Sequence, residues 1–567
     1  GVLNLAQENY AQAEQKFQRV LAIQEKSFGA GHFNTAQVIQ YLAQAQRLKG
    51  DLPQSIALMT RSNEISERFL SRNLSGGSER QKQALLTAVL PQVANSIVLH
   101  AVSAPNNPDA LKLALTMVLR RKGRGLDVMT DAIAQLRRRA KPEDQKLLDE
   151  LAAAQSQLAA FTLKEPDQAA PDAYRAQLKQ LTDQVEKLET DISARNAEFR
   201  VQSQPVTIAA VQAAIPEGMA LVEFARYEPQ NLKTLGTDPA RYAVYVLTKQ
   251  GEPRWADLGE AAPIEQAVGE LRKALQNPKR KDVKALSRKL DELVMRPVRP
   301  LLGTTRKVFI SPDGALNLIP FAALADERGK YLVSNFTFNY LTSGRDLLRL
   351  QLHQPGKQTT VIFANPNFGE LQAGKSDSRL LVTKQANPQT TTVGFDFSRA
   401  YFSPLPGTAG EARALKRLLP QAEVLTQAQA SEAALKQLHS PKVLHVATHG
   451  FFLQNLDSIT EGTRRLKHLG LAPATSSNSP TGAVNLRSDN PLLRSGLAFS
   501  GANLHKKGDD DGILTALEAS GLDLWGTKLV VLSACDTGVG EVKNGEGVYG
   551  LRRALVLAGS ETQGMSL

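Results

Sequence analysis

The sequence predicts an α + α/β chain: an N-terminal helical repeat and helical hairpin region, then an α/β domain with a mostly parallel sheet. Three observations carry this. Apolar helical positions recur 42 residues apart near the N-terminus. Long amphipathic stretches follow, to about residue 200. From Pro205 onward come short runs rich in β-formers, two of which stop at His449-Gly450 and at Cys535-Asp-Thr-Gly538.

The repeat is read from Tyr10, Ala13, Phe17, Leu21 and Ile23-Gln-Glu25, which return as Leu52, Ser55, Met59 and Ile65-Ser-Glu67. Gly50-Asp51 marks the turn between helices. This resembles the long tetratricopeptide variety, in which stacked helix pairs build concave peptide-binding surfaces. The resemblance implies a protein partner on the repeats. About one and a half repeats are visible where stability generally needs three, so further repeats are expected upstream. The chain opens on Gly1, already inside a helical pattern, so any leader would lie upstream too. A cytoplasmic location is the expectation.

Residues 71–204 read as helices with little other chemistry. Leu147–Leu158 and Tyr174–Phe199 show heptad-like spacing, and Lys164-Glu-Pro-Asp-Gln-Ala-Ala-Pro-Asp172 between them is loop chemistry. An antiparallel hairpin is expected, with a coiled-coil dimer as the alternative. The expected domains are thus 1–70, 71–204 and 205–567. In the last, Leu221-Val-Glu-Phe, Tyr242-Ala-Val-Tyr-Val-Leu and Lys307-Val-Phe-Ile-Ser are the first strands, and Pro312-Asp-Gly314 is a tight turn.

Two strand ends hold the chemistry. Lys528–Ala534 is an apolar run that stops at Cys535, the only cysteine, and Val443-Leu-His-Val-Ala-Thr-His449 stops at a histidine followed by glycine. Side chains at the carboxyl ends of parallel strands line the crevice of an open α/β sheet. A thiol and an imidazole delivered there are the parts of a cysteine nucleophile with its base. Taken alone, a lone cysteine is more often a small core hydrophobe. His445 and His449 could form a helical zinc pair, but the run is β-prone, ends in glycine and has no acid between them. His445 reads as a packed or hydrogen-bonding neighbour.

Composition bounds the rest. No apolar run approaches eighteen residues, so no membrane span is expected. A single cysteine excludes an internal disulfide. The net charge of +12 admits nucleic acid. However, the basic residues are spread along helices, apart from clusters such as Arg120-Arg-Lys-Gly-Arg124 and Arg137-Arg-Arg-Ala-Lys141, and aromatics for base stacking are few. A solvated helix face is the expected reading, and nucleic acid an unfavoured partner.

Five blocks, in order, make a specific resemblance: Ser311-Pro-Asp-Gly-Ala-Leu-Asn-Leu-Ile-Pro-Phe-Ala-Ala-Leu324, Leu405-Pro-Gly-Thr-Ala-Gly-Glu-Ala412, Val443–Gly450, Pro491-Leu-Leu-Arg-Ser-Gly-Leu-Ala498 and Leu529–Gly538. They resemble the CHAT domain, a caspase-like module found with tetratricopeptide repeats, over roughly residues 205 to 567. The resemblance implies a caspase-like α/β fold and a cysteine endopeptidase that cleaves a protein or peptide substrate. It makes His449 the catalytic histidine and Cys535 the nucleophile, with no cofactor or metal. Backbone N–H groups of Gly450 and Cys535 are the candidate oxyanion donors. No residue announces itself as an orienter of His449. Asp536 and Glu546, near the nucleophile, are weak candidates for a substrate pocket favouring a basic side chain.

Two long segments interrupt this part, Gly369–Ser398 and Leu453–Asn490, the second expected as a flap over the cleft or a surface excursion. It contributes to the 86 positions between His449 and Cys535, against roughly fifty in caspases. The final Ser560–Leu567 reads as the start of a strand, and family members continue beyond it. An inactive repeat-bearing scaffold is the alternative function, and a nucleic-acid-associated regulator a third.

Overall fold

The computed structural model describes residues 1–139, 141–163, 171–197, 205–234, 236–351, 356–370, 380–381, 400–453, 490–504, 510–534, 537–538 and 540–565. Most of both long segments lies outside them, as do Cys535 and Asp536. The helices used below are α1 (Tyr10–Phe28), α2 (Phe33–Lys49), α3 (Leu52–Asn73), α4 (Glu79–Val98), α5 (Pro108–Arg121) and α6 (Arg124–Arg139). They continue with α7 (Pro142–Thr162), α8 (Pro171–Ala197), α9 (Ala261–Leu275), α10 (Val283–Val294), α11 (Pro406–Leu418), α12 (Glu432–Lys436) and α13 (Ala516–Ala519). The strands are β1 (Met219–Tyr227), β2 (Arg241–Thr248), β3 (Arg254–Glu260), β4 (Lys307–Ser311), β5 (Thr337–Tyr340), β6 (Val361–Pro366) and β7 (Glu423–Gln427). Also used below are β8 (Val443–Ala447), β9 (Gly450–Phe452), β10 (Ser495–Ala498), β11 (Ile513–Thr515), β12 (Leu529–Ser533) and β13 (Gln563–Met565), with further two- and three-residue strands left unlabelled.

Packing divides the chain into two compact units. One holds Gly1–Leu136, Glu189–His353 and Val542–Gly547; the other holds Arg137–Leu188, Gln354–Glu541 and Val548–Leu567. These limits differ from the expected boundaries at 70 and 204, because residues 205–353 build a sheet of their own that packs with the first helices.

In the first unit the repeat forms as spaced. Gly50 takes the left-handed φ of 89° that ends α2, and the Asp51 carboxylate accepts from the Gln54 N–H to start α3. Ala13, Phe17, Ser55, Met59 and Ile65 are buried, as the period requires. Ile23, the counterpart of Ile65, is 55% exposed. Ile65 packs on Ala36 and Ile39 of α2, a contact the earlier repeat position lacks.

The helical stretch Glu79–Ser103 is long and apolar enough to cross a membrane by length and composition alone, which does not show a membrane span. Half of it is buried in the protein, and Lys82, Gln92 and Asn95 are among its buried residues. Those polar positions break any continuous apolar run. A core helix passes the same test.

The first basic cluster corrects the expected solvated face, whereas Arg138 and Lys141 of the second are exposed. Arg121, Lys122 and Arg124 are buried. Arg121 and Arg124 pair with Glu67 of α3, the latter at 2.7 Å. Lys122 Nζ lies 2.8 Å from Glu223 of β1 and donates to the Ser311 hydroxyl at 2.7 Å and the Phe224 carbonyl at 2.8 Å. Fixed acids and carbonyls, rather than water, solvate these cations. The sheet runs β3-β2-β1-β4-β5, with β1 antiparallel to β2 and parallel to β4. Asp313 closes the expected turn after β4, its carboxylate accepting from the N–H groups of Gly314 and Arg226, both at 2.9 Å.

The second unit is built on a five-stranded sheet of order β7-β6-β8-β12-β13, parallel throughout. Leu444, Val446, Val530 and Leu532 are buried along its two central strands. The strand expected at the chain's end forms as β13 and pairs with β12. A smaller antiparallel sheet, β9-β10-β11, begins directly after His449. The ring of Phe161 near the end of α7 stacks on Tyr174 of α8, with centroids 4.8 Å apart. Lys436 of α12 is held between Glu432 at 2.6 Å and Glu518 of α13 at 2.8 Å, and donates to Ser156 of α7 at 3.1 Å.

Candidate active site

β8 and β12 are adjacent and parallel, registered from Val443 opposite Leu529 to Ala447 opposite Ser533. His449 follows Ala447 by two residues, and in the sequence Cys535 follows Ser533 by two.

The backbone at His449 is tied down at once. The Thr448 hydroxyl donates to the Ala498 carbonyl, and the Ala498 N–H donates to the His449 carbonyl at 2.9 Å. Ladder bonds alternate along antiparallel strands, so Gly450 opposite Leu497 is a non-hydrogen-bonded pair. Its N–H therefore faces away from β10. As β9 is an edge strand, that N–H lies on the open side of the small sheet.

The imidazole is half-buried between two phenylalanines. Its centroid lies 5.3 Å from the ring of Phe368 and 5.8 Å from that of Phe402, both buried. Nε2 is 2.8 Å from the carbonyl oxygen of Ser403. A carbonyl only accepts, so Nε2 carries the proton and Nδ1 keeps its lone pair in the neutral ring. Burial against the phenylalanines pushes the pKa down from its ordinary 6.5, opposed by the Ser403 hydrogen bond, which favours the charged ring. The ring is a neutral base at neutral pH.

Asn503 holds this wall together. Its amide donates to the carbonyls of Phe402 at 2.9 Å and Gly369 at 3.0 Å, and its oxygen accepts from the Phe402 N–H at 2.8 Å. Its own N–H donates to the Phe368 carbonyl at 2.8 Å. Asn503 is 3% exposed.

His445 is a buried hydrogen-bonding neighbour, its Nε2–H donating to Glu411 of α11 at 2.9 Å. The Ser533 hydroxyl of β12 donates to the other oxygen of that carboxylate at 3.3 Å. Glu546 lies in the first unit, where its carboxylate accepts from the Gly125 N–H at 3.3 Å, at the first turn of α6. A carboxylate suits that position because the helix N-terminus carries partial positive charge. Among the described residues no cluster of His, Cys, Asp or Glu is arranged to hold a metal ion.

Sequence reasoning did not find Ser403, Asn503 or Glu411. Ser403 acts through its backbone, which leaves no side-chain signature. Asn503 and Glu411 lie far from His449 in sequence. Only the block Leu405–Ala412 carried a signal, which pointed to the segment and not to the role of Glu411.

The CHAT domain family model matches residues 284–567, half of the chain. The chain belongs to the CHAT domain family. A tetratricopeptide repeat model matches residues 1–68. The CHAT domain is caspase-like and related to peptidases, and the repeats are of a protein-interaction type. No curated protein matches the chain. All residues around His449 described above lie within the CHAT match.

Proposed function

We propose that this chain is a cysteine endopeptidase in which Cys535 is the nucleophile and His449 its base, recruited or regulated through its N-terminal repeats. The observation that carries the reading is the His449–Ser403 hydrogen bond. It leaves a neutral imidazole with a free Nδ1 at the end of the strand next to the one that leads to Cys535. The equal two-residue steps from Ala447 to His449 and from Ser533 to Cys535 support the pairing.

In this mechanism His449 Nδ1 takes the thiol proton and the thiolate attacks the scissile carbonyl carbon. The oxyanion is met by the N–H groups of Gly450 and Cys535. The C–N bond then breaks, the imidazolium gives its proton to the leaving amine, and a thioester remains. Water, deprotonated by the same nitrogen, hydrolyses it and returns the thiol. With Glu546 engaged at α6, Asp536 is the acid left to favour a basic residue before the cut. The described basic clusters Arg121–Arg124 are buried and paired, which leaves nucleic-acid binding without support there. A peptide library offered to the full chain tests the reading. Cleavage by the parent and none by Cys535→Ala or His449→Ala is expected. Equal cleavage by Cys535→Ala, free of contaminating protease, would overturn it. No cleavage, with no labelling of Cys535 by peptide electrophiles, would favour the scaffold alternative.

A further inference from the structure

We propose that Glu411 is a positioning residue for His449: it ties α11 to β8 and β12, and so fixes the Ser403 carbonyl that orients the imidazole. This rests on the reading of His449 as the base.

The carboxylate spans two strands. Oε1 accepts from His445 of β8 at 2.9 Å and Oε2 from Ser533 of β12 at 3.3 Å. These are the strands that lead to His449 and Cys535. The apolar contact beneath α11 is thin, since Ala412 and Leu415 meet mainly Ile362, Ala364, Ala422, Val424 and Ala447. Each buried methylene contributes about 0.8 kcal/mol, so such a layer holds a helix weakly and leaves the polar ties a large share. Thr408 supplies one tie, accepting from the Asn365 N–H at the end of β6 at 2.9 Å. Glu411 supplies the only such ties of α11 to β8 and β12 among the described residues.

A displacement of α11 would reach Ser403 because the lead-in is stiff. Ser403-Pro404-Leu405-Pro406 has proline at two of four positions, and each ring locks its φ. On the other side Asn503 clamps Phe402. The Ser403 carbonyl is thus held between two anchors, of which Glu411 is the one attached to the catalytic strands. Its partners are accounted for by geometry without any contact to substrate.

The test uses the full chain labelled with 15N-histidine, as parent, Glu411→Ala, Glu411→Gln and Ser533→Ala. Two readouts are taken: the His449 tautomer by NMR, assigned through loss of its signal in His449→Asn, and peptidase kcat and KM. In Glu411→Ala the His449 ring should lose its Nε2–H preference, and kcat should fall about 10- to 100-fold with KM nearly unchanged. Glu411→Gln should restore both, since a neutral amide can accept from His445 and donate to the Ser533 oxygen. Ser533→Ala, which removes one tie and leaves the helix core intact, should give an intermediate tautomer shift, and decides the matter if Glu411→Ala does not fold. An unchanged His449 tautomer in whichever of these variants folds would overturn the inference. A parent without peptidase activity would instead refute the proposed function, and the tautomer readout would still judge Glu411.

Discussion

His449 Nε2 and the Ser403 carbonyl oxygen lie 2.8 Å apart, and that single hydrogen bond decides which imidazole nitrogen can act as a base. The donor site is occupied by a backbone group, so Nδ1 is left with the lone pair. A backbone acceptor keeps no charge of its own beside the ring. Burial between Phe368 and Phe402 then keeps the ring neutral.

The acid limb of activity should follow from this wall. His449 has its pKa below the ordinary 6.5, so the neutral base survives to lower pH than a solvated histidine would. Phe402→Ala lets water reach the ring and should raise that pKa toward 6.5. The acid limb of kcat/KM should move up in pH with it. An NMR titration of His449 in both proteins checks the shift directly.

Asn503→Ala should cost about 2–4 kcal/mol, because it strands the buried polar groups of Phe402 and Gly369 that the amide now satisfies. Denaturant unfolding measures the loss. The same variant should lower turnover by loosening the two phenylalanines, while a distant surface change of equal stability cost should not.

Glu67 ties the repeat to the helices that follow. Burial alone would push its carboxyl up, yet the Arg124 and Arg121 guanidiniums override this and hold it at about 2. Glu67→Gln leaves two buried cations without their counter-charge and should destabilise the chain by about 3 kcal/mol. In the parent this contribution is present above pH 4.5 and lost as pH falls toward 2. Thermal unfolding of both proteins at pH 7 and pH 3 should show the gap narrowing at the lower value.

His100 gives a second, milder acid sensitivity. It is fully buried, 3.3 Å from the Tyr245 hydroxyl and edge-on to Trp255, and burial pushes its pKa down from 6.5 to about 4. A depressed folded pKa means that the unfolded chain binds the proton first. Stability is therefore full above pH 6.5 and erodes as pH falls toward 4. His100→Phe should flatten the pH dependence of Tm across this window, so that the parent-minus-variant difference changes by roughly 2–4 °C between pH 6.5 and pH 4.

Much of the fold was legible because apolar periodicity is a direct record of burial. Ala13, Phe17, Met59 and Ile65 of the repeat, and Leu444, Val446, Val530 and Leu532 of the central strands, are all in the core. Turn chemistry at Gly50-Asp51 and Pro312-Asp-Gly314 was equally plain. The cluster Arg120–Arg124 misled because charge in a sequence says nothing of its partner: Glu67 lies more than fifty positions from Arg121 and Arg124. The orienter of His449 was invisible for a different reason, since any residue has a carbonyl. The strand ends that point to Cys535 and His449 were readable; the surroundings that tune His449 were not.

The central claim is that His449 activates Cys535. It is tested most directly by the second-order rate at which a peptide electrophile alkylates Cys535, followed by mass spectrometry on the full chain. His449→Ala should slow that rate by about 100-fold or more at neutral pH, with the fold intact by circular dichroism. Equal rates in parent and variant would contradict the account.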